Sequence, residues 1–458
     1  MMHFGPYSVP AYNDQSFVSK MERFAGLNYV AWYWYFISDN IITRNIPFHS
    51  VKKHHIQTYG KDFNYDDFIP MWQTPHFDAN KILDLFESAG IKYVAYPAKH
   101  HDGFCLWDTQ TTGRNSVDLG PHRNFVDEIF TAAKGRDLKM GFYYSNVEFY
   151  NPANKPDLAR VEKGQAYNGK ESQILQANLI FNSGAKPINP YSKKEVPYTG
   201  QDASITDYAS QIFQPQIREL MKLYNPEFFY LDIGGNEKYY KTNEFLAEYY
   251  NHAKIHNPEG VLVNDRGGDI TTHRDYNTFE YGVGVRTPPF EHVLPLQRGV
   301  MTYSEFQENF LDATGVIKEL LYLCSEGGNL MLGVSTKADG SIPENYPKIL
   351  GNVGKWLKKY GDGVYDSKNF PGYKAKINDG NFYTLAKDGS LWVFYPEKTK
   401  KVIIKQKFDL SKAKKVEIMG NPAAHTYIGK KGGNYTVEVP YVQVPYGEVN
   451  YGALRITF

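Results

Sequence analysis

Cysteine is scarce in this chain: Cys105 and Cys324 are the only thiols in 458 residues. Two thiols so far apart cannot form a disulfide framework, so the fold has to rest on an apolar core, and the pair says little about compartment. An excess of either charge is also missing, with 51 basic against 50 acidic residues and a formal net charge of +1. No polybasic run occurs, which removes the electrostatic footprint of a nucleic-acid backbone or an anionic membrane as partner. No stretch reaches the roughly twenty consecutive apolar residues that a bilayer span needs. HExxH and similar metal-ligand spacings are absent as well, so neither a metal nor a cofactor is expected. Function then lies in a local site rather than in bulk charge.

Aromatic side chains are what the chain has in plenty, at 16% of residues with 37 Tyr. Such rings fill half-wet cores, and they also line pockets for sugars, whose apolar C–H faces stack on them. The length argues for two domains, one of them a barrel of about 250 residues or more. The sequence opens at once on strand-like residues, Met1-Met2-His3-Phe4-Gly5-Pro6-Tyr7-Ser8-Val9. From this we expect upstream residues, a signal peptide among them, and a periplasmic or secreted location.

From His3 to about Tyr360, short apolar runs alternate with amphipathic stretches. Residues 78–90 have apolar side chains at helical spacing and a Gly stop, and a strand over Tyr93 to Tyr96 follows. Helix and strand then recur: Phe125 to Lys134, Leu138 to Tyr144, Gln214 to Tyr224, Phe228 to Leu231, Phe245 to Ile255 and Val261 to Val263. This alternation predicts parallel βα units, hence a (β/α) barrel or a doubly wound sheet. Between Asn151 and Thr206 the pattern lapses into Asn, Gly, Lys, Pro and Tyr, which predicts an insertion beside the site. Beyond Asn369 the texture changes to short alternating runs, such as Leu391 to Tyr395, punctuated by Asp388-Gly389 and Gly432-Gly433. That predicts an antiparallel β-sandwich over residues 370–458, after a catalytic barrel over residues 1–360.

Two segments carry chemistry. Ala98-Lys99-His100-His101-Asp102-Gly103-Phe104 and Phe228-Phe229-Tyr230-Leu231-Asp232-Ile233-Gly234-Gly235 each put ionisable side chains directly after an apolar run. The bland alternative for either is a surface loop with a solvated Asp. In α/β barrels, however, the C-terminal ends of the strands are where catalytic groups gather. Asp232 is the best candidate nucleophile, and Gly234-Gly235 are expected to leave room for a ligand. Glycoside cleavage would need a second carboxylate, for which Glu280 and Glu291 are available, and spacing alone does not choose between them.

Taken together, these pieces resemble the α-L-fucosidases of glycoside hydrolase family 29. The segments that carry the resemblance are residues 3–11, Ala98 to Phe104 with Trp107, Gly141-Phe142-Tyr143-Tyr144-Ser145, Tyr230-Leu231-Asp232 and Val263-Asn264-Asp265-Arg266. Further on come Gly328-Asn329-Leu330-Met331-Leu332, residues 337–343 and Gly361-Asp362-Gly363-Val364-Tyr365, in the family's order. The resemblance implies a (β/α) TIM-like barrel followed by an antiparallel β-sandwich, and a retaining, exo-acting α-L-fucosidase working by double displacement. It implies that Asp232 attacks the anomeric carbon, with His3, His100, His101, Tyr143 and Arg266 around the sugar. Trp32 and Tyr33 would wall the pocket, and Trp107 and Tyr230 complete the binding set. Glu280 is favoured as acid/base by its Thr-x-Glu-Tyr context. Glu291 is the alternative, and whichever loses is expected to support Arg266 or a pocket histidine.

The chain departs from the family where Ala31 stands in place of a frequent Glu, where Tyr230 replaces a Trp, and in the long 151–206 segment. The expected partner is a fucosylated glycan. Lys155, Lys163, Lys170, Lys186, Lys193 and Lys194 keep sulfated fucans among the candidates, and a homo-oligomer stays open. Two rivals remain. A metal hydrolase would use His100-His101-Asp102, although adjacent side chains on an extended segment point opposite ways. A catalytically weak or inactive glycan-binding protein on the same fold would explain Ala31.

Overall fold

The computed structural model describes residues 1–13, 30–38, 49–153, 187–234, 237–268, 274–280, 283–284, 286–306, 308–370, 379–405, 410–421, 428–431, 434–440 and 448–458. Most of the 151–206 segment, including Lys155, Lys163, Lys170 and Lys186, lies outside the described residues, as does Gly235.

Strands β1 (Tyr93–Lys99), β2 (Lys139–Ser145), β3 (Phe228–Asp232) and β4 (Leu262–Val263) form one parallel sheet in that order. In the second sheet, β5 (Asn277–Glu280), β7 (Phe290–Pro295) and β8 (Gly328–Gly333) run parallel, with the short antiparallel β6 (Val283–Gly284) at its edge. Two seams join the sheets into a barrel. A parallel bridge pairs Asn264 with Tyr276. On the other side, residues 1–3 lie between β8 and β1. The Met1 amino group donates to Leu332 O at 2.8 Å, Met2 N–H to Ala95 O at 3.0 Å, and Val334 N–H to Met1 O at 2.9 Å.

The helices around the barrel begin and end where local chemistry dictates. Asp78 caps helix Ala79–Ser88 by accepting from Lys81 N–H, and Asn124 caps Phe125–Ala133 through Asp127 N–H. Helix Gln214–Tyr224 stops at Asn225 in the left-handed region, φ 46°. Helices Ala313–Glu326 and Asn345–Tyr360 complete the layer.

Alternation along the strands sorts side chains into two compartments. Ala95, Tyr143, Phe228, Tyr230 and Val293 fill the barrel interior, whereas Val94, Tyr96, Phe142, Tyr144, Phe229 and Leu231 pack outward against helices. Asp232 is in phase with Phe228 and Tyr230, so pleating alone aims its carboxylate into the barrel mouth. Gly141 makes that interior possible, because a Cβ there would stand 2.4 Å from the Phe228 ring.

After Tyr360 the strands become antiparallel: β9 (Lys368–Asn369), β10 (Phe382–Leu385), β11 (Leu391–Pro396), β12 (Lys401–Ile404), β13 (Lys415–Ile418), β14 (Ile428–Lys431), β15 (Asn434–Glu438) and β16 (Tyr451–Thr457). They make two facing sheets, ordered β13-β16-β11-β10-β9 and β12-β15-β14. Strand β11 is buried on both faces. Leu391, Val393 and Tyr395 enter the core between the sheets, and Trp392 and Phe394 join the core shared with the barrel's helices. Trp356 N–H donates to Tyr451 O at 2.6 Å and Tyr383 N–H to Ser325 Oγ at 2.9 Å, fastening the sandwich to the last two helices.

Candidate active site

Asp232 is the last residue of β3, in register with Ser145 at the end of β2, and is buried. Its Oδ1 accepts from Arg266 Nη2 at 2.7 Å and from Ile233 N–H at 2.9 Å, and its Oδ2 accepts from the Tyr143 hydroxyl at 2.6 Å. Burial alone would raise this carboxyl. Arg266 and the two hydrogen bonds from Tyr143 and Ile233 outweigh it, and the group is held below the usual aspartate range. Asp232 is therefore an anion at neutral pH, while burial and the neighbouring carboxylate keep Tyr143 a phenol.

Arg266 follows β4. Its Nη1 reaches Glu280 Oε2 at 2.5 Å, so one planar guanidinium spans both carboxylates. Tyr230 lies beneath it, with its ring centroid 5.9 Å from the guanidinium carbon and its hydroxyl 3.4 Å from Nη1. Gly234 has a different use from the one expected. A Cβ on it would meet Arg266 O and Gly268 N at 2.4 Å, so its missing side chain admits the backbone that carries Arg266 rather than a ligand.

The histidines gather on the opposite side of Asp232. His3 and His100 meet edge to face at 5.0 Å, His100 stacks on Tyr143 at 5.2 Å, and His100 and His101 are 4.2 Å apart. The expectation that adjacent histidines diverge is corrected here. Strand β1 ends at Lys99, and the chain turns at once, with Gly103 N–H donating to His100 O and Gly103 at φ 72°, so both rings enter one pocket. His101 Nε2 stands 3.7 Å from Asp232 Oδ2. Burial pushes His101 down to about 3 and His3 to about 4, so these rings meet a ligand as neutral donors and acceptors. Among the described residues no group of three or more His, Cys, Asp or Glu could hold a metal ion.

Trp32 meets His101 edge to face at 5.6 Å and so walls the same cluster. Tyr33 and Trp107 make no hydrogen bond or ring contact with the cluster among the described residues. Tyr33 OH is 3.0 Å from His55 Nδ1, and Trp107 N–H is used on Glu219 at 3.1 Å. Helical geometry explains Tyr33: helix Tyr33–Ile37 starts there and turns it from the face Trp32 presents. Ala31 is buried, with no polar atom to offer.

Glu291 also stands apart from Asp232. It is the second residue of β7 and pairs with Thr278, whereas Glu280, at the end of β5, pairs with Val293 one pleat nearer the rim. Its Oε2 accepts from the hydroxyl of Tyr93 at 2.6 Å. Tyr93 opens β1 and is in register with Lys139, at the start of β2. Glu291 thus belongs to the end of the barrel away from Asp232 and supports neither Arg266 nor a pocket histidine. Burial pushes its carboxyl up to about 7, against the pull of Tyr93.

Residues with no assigned role in the sequence reading are Ser145, whose Oγ is 2.5 Å from His101 Nδ1, Tyr7, whose ring lies 5.4 Å from His100, and Phe149, 5.2 Å from His101. Ser145 shared the one signal that could have found it, a polar residue closing an apolar strand.

The family model described as Alpha-L-fucosidase matches residues 1–362. The alpha-L-fucosidase of Dictyostelium discoideum is 26% identical over 403 residues, covering 84% of this chain and 75% of that protein. The plasma alpha-L-fucosidase of Homo sapiens is 25% identical over 394 residues, covering 84% and 70%. The crystal structure of Thermotoga maritima alpha-fucosidase is similar over 100% of this chain and 94% of that one, with a TM-score of 0.74 and 26% identity. The same enzyme is also solved in complex with fucose. With a family match over most of its length, and with relatives and a fold that agree, the chain belongs to the α-L-fucosidase family of glycoside hydrolases.

Proposed function

We propose that this fucosidase is retaining and exo-acting, with Asp232 as nucleophile and Glu280 as acid/base, and that residues 1–360 are its catalytic unit with residues 370–458 appended. The observation that carries the reading is the Arg266 guanidinium shared by the two carboxylates at 2.7 and 2.5 Å. Two groups bridged by one fork suit the separation of about 5–5.5 Å that a retaining glycosidase uses, and leave too little room for the water of an inverting one.

In the first step Asp232, anionic and aimed into the barrel mouth, attacks the anomeric carbon while Glu280 protonates the departing glycosidic oxygen. Once its proton is given up, Glu280 is the carboxylate that Arg266 pairs with at 2.5 Å. In the second step Glu280 takes a proton from the water that releases fucose. Neutral His3, His100 and His101, with Tyr143 and Arg266, meet the sugar hydroxyls and ring oxygen, and Trp32 offers an apolar face.

The substrate in this reading is a terminal α-L-fucose on an oligo- or polysaccharide, met in the periplasm or outside the cell. The Thermotoga maritima enzyme solved with fucose supports a fucose-sized pocket. Lys193 and Lys194, exposed near the end of the long segment after β2, keep sulfated fucans among the substrates. Following 4-nitrophenyl α-L-fucoside cleavage by proton NMR tests the mechanism. α-L-Fucose should appear first and mutarotate later, and β-L-fucose as first product refutes it.

A further inference from the structure

Ser145 has no part in that mechanism, yet it is hydrogen-bonded to the histidine nearest Asp232. It closes β2, is fully buried, and is in register with Asp232. Its Oγ lies 2.5 Å from His101 Nδ1 and 2.5 Å from the carbonyl oxygen of Val147. A hydroxyl has one hydrogen, and a carbonyl can only accept. The hydrogen therefore goes to Val147, and Oγ must accept from His101, which puts the ring's proton on Nδ1. Burial keeps the ring neutral, so Nε2, 3.7 Å from Asp232 Oδ2, carries the lone pair.

The position of the ring does not depend on this bond. Trp32 at 5.6 Å, Phe149 at 5.2 Å and His100 at 4.2 Å pack around it, and Phe149 N–H donates to His101 O at 2.7 Å. The bond to Ser145 bears instead on which nitrogen carries the proton.

We propose that Ser145 is a positioning residue that fixes His101 as the Nδ1–H tautomer, so that Nε2 faces the nucleophile and the sugar as an acceptor. The opposite tautomer would aim an N–H at Asp232 and add a charge-assisted hydrogen bond to those from Arg266, Tyr143 and Ile233. That bond would stabilise the carboxylate before attack and weaken as its charge is spent on the anomeric carbon, so it would raise the barrier. An acceptor at Nε2 avoids this and takes a hydrogen bond from a fucose hydroxyl. The kinetic half of the proposal rests on Asp232 being the nucleophile; the tautomer half does not.

Nitrogen-15 NMR of histidine-labelled enzyme, with His101 assigned by comparison with His101→Gln, reads the tautomer directly. The unmodified enzyme should show a protonated Nδ1 and a bare Nε2. In Ser145→Ala the proton should move to Nε2, and kcat/KM for 4-nitrophenyl α-L-fucoside should fall about tenfold, the factor that one net hydrogen bond represents. Ser145→Thr, which keeps the hydroxyl, should recover the Nδ1–H signal and most of the rate. A protonated Nε2 in the unmodified enzyme overturns the proposal, and so does a Ser145→Ala enzyme that keeps both its tautomer and its kcat/KM. If the Ala variant does not fold, the unmodified and Thr spectra still decide. Full turnover by Asp232→Gly alongside the expected spectra would instead remove the nucleophile assignment and leave the tautomer control standing.

Discussion

Replacing Glu291 with Gln separates an acid that the fold controls from the acids that the reaction uses. Burial pushes the Glu291 carboxyl up to about 7, while in an unfolded chain it titrates near 4.3. Between those values the folded protein keeps a proton that the unfolded chain has released. With fewer protons on the unfolded state, the free energy of unfolding falls as pH rises. The penalty is absent below pH ~4 and complete above pH ~7, and at about 1.4 kcal/mol per pKa unit it amounts to about 4 kcal/mol. Glutamine keeps an oxygen for the Tyr93 hydroxyl and cannot ionise, although its amide N–H groups bring a desolvation cost of about 1–3 kcal/mol if they find no acceptor. That cost is the same at every pH. Thermal unfolding followed by near-ultraviolet circular dichroism should therefore show Glu291→Gln gaining on the parent between pH 4.5 and pH 8, while its turnover of 4-nitrophenyl α-L-fucoside changes little. A melting-temperature difference that ignores pH would refute the burial argument, and a collapse of turnover would return Glu291 to the reaction.

Asp232→Gly should lose turnover by several orders of magnitude yet stay folded, and azide should restore some of it by forming β-L-fucosyl azide, an inverted product identified by NMR. Glu280→Ala should hurt substrates with poor leaving groups far more than aryl fucosides, which depart without protonation, so equal losses in kcat/KM across a leaving-group series would count against Glu280. Lys99 is fully buried, with Nζ 2.7 Å from Glu148 and 2.8 Å from the Tyr208 hydroxyl. Lys99→Met removes the buried ammonium from Glu148 and should cost about 3–5 kcal/mol in denaturant unfolding, most of it recovered by adding Glu148→Gln. Shortening the segment between Asn151 and Thr206 should impair cleavage of oligosaccharides and spare aryl fucosides, since remote contacts act on the extended substrate alone; equal losses in kcat/KM would show that it supports the pocket itself.

Much of the barrel was legible because its elements announce themselves locally. Helix Gln214–Tyr224 matches the expected range residue for residue and is ended by Asn225, and strand Leu391–Pro396 runs one residue past the expected Leu391 to Tyr395. The strands β7 and β8 were not read as strands. Phe290-Glu291-His292 mixes charge into the run, and Gly328-Asn329 opens on residues with little strand preference. They hold as strands because β7 pairs with both β5 and β8, a tertiary fact with no local signature.

The site divides along the same line. Residues that close an apolar strand, Asp232 and Ser145, are aimed at the mouth by pleating, so the pattern that finds the strand also finds them. Glu280 and Glu291 cannot be ranked that way, because both sit in short, mixed runs and differ only in which end of a strand they occupy. Parallel register settles their heights: Thr278 lies beside Glu291, so Glu280, two residues on, rises about 7 Å toward the rim. The same rise turns two similar glutamates into opposites. The one at the rim is paired with an arginine that also holds Asp232, and the one below is closed off with a tyrosine and keeps its proton up to about pH 7. A carboxylate's chemistry in this barrel is thus set by its depth along the strand, and depth is a property of pairing that no single stretch of sequence carries.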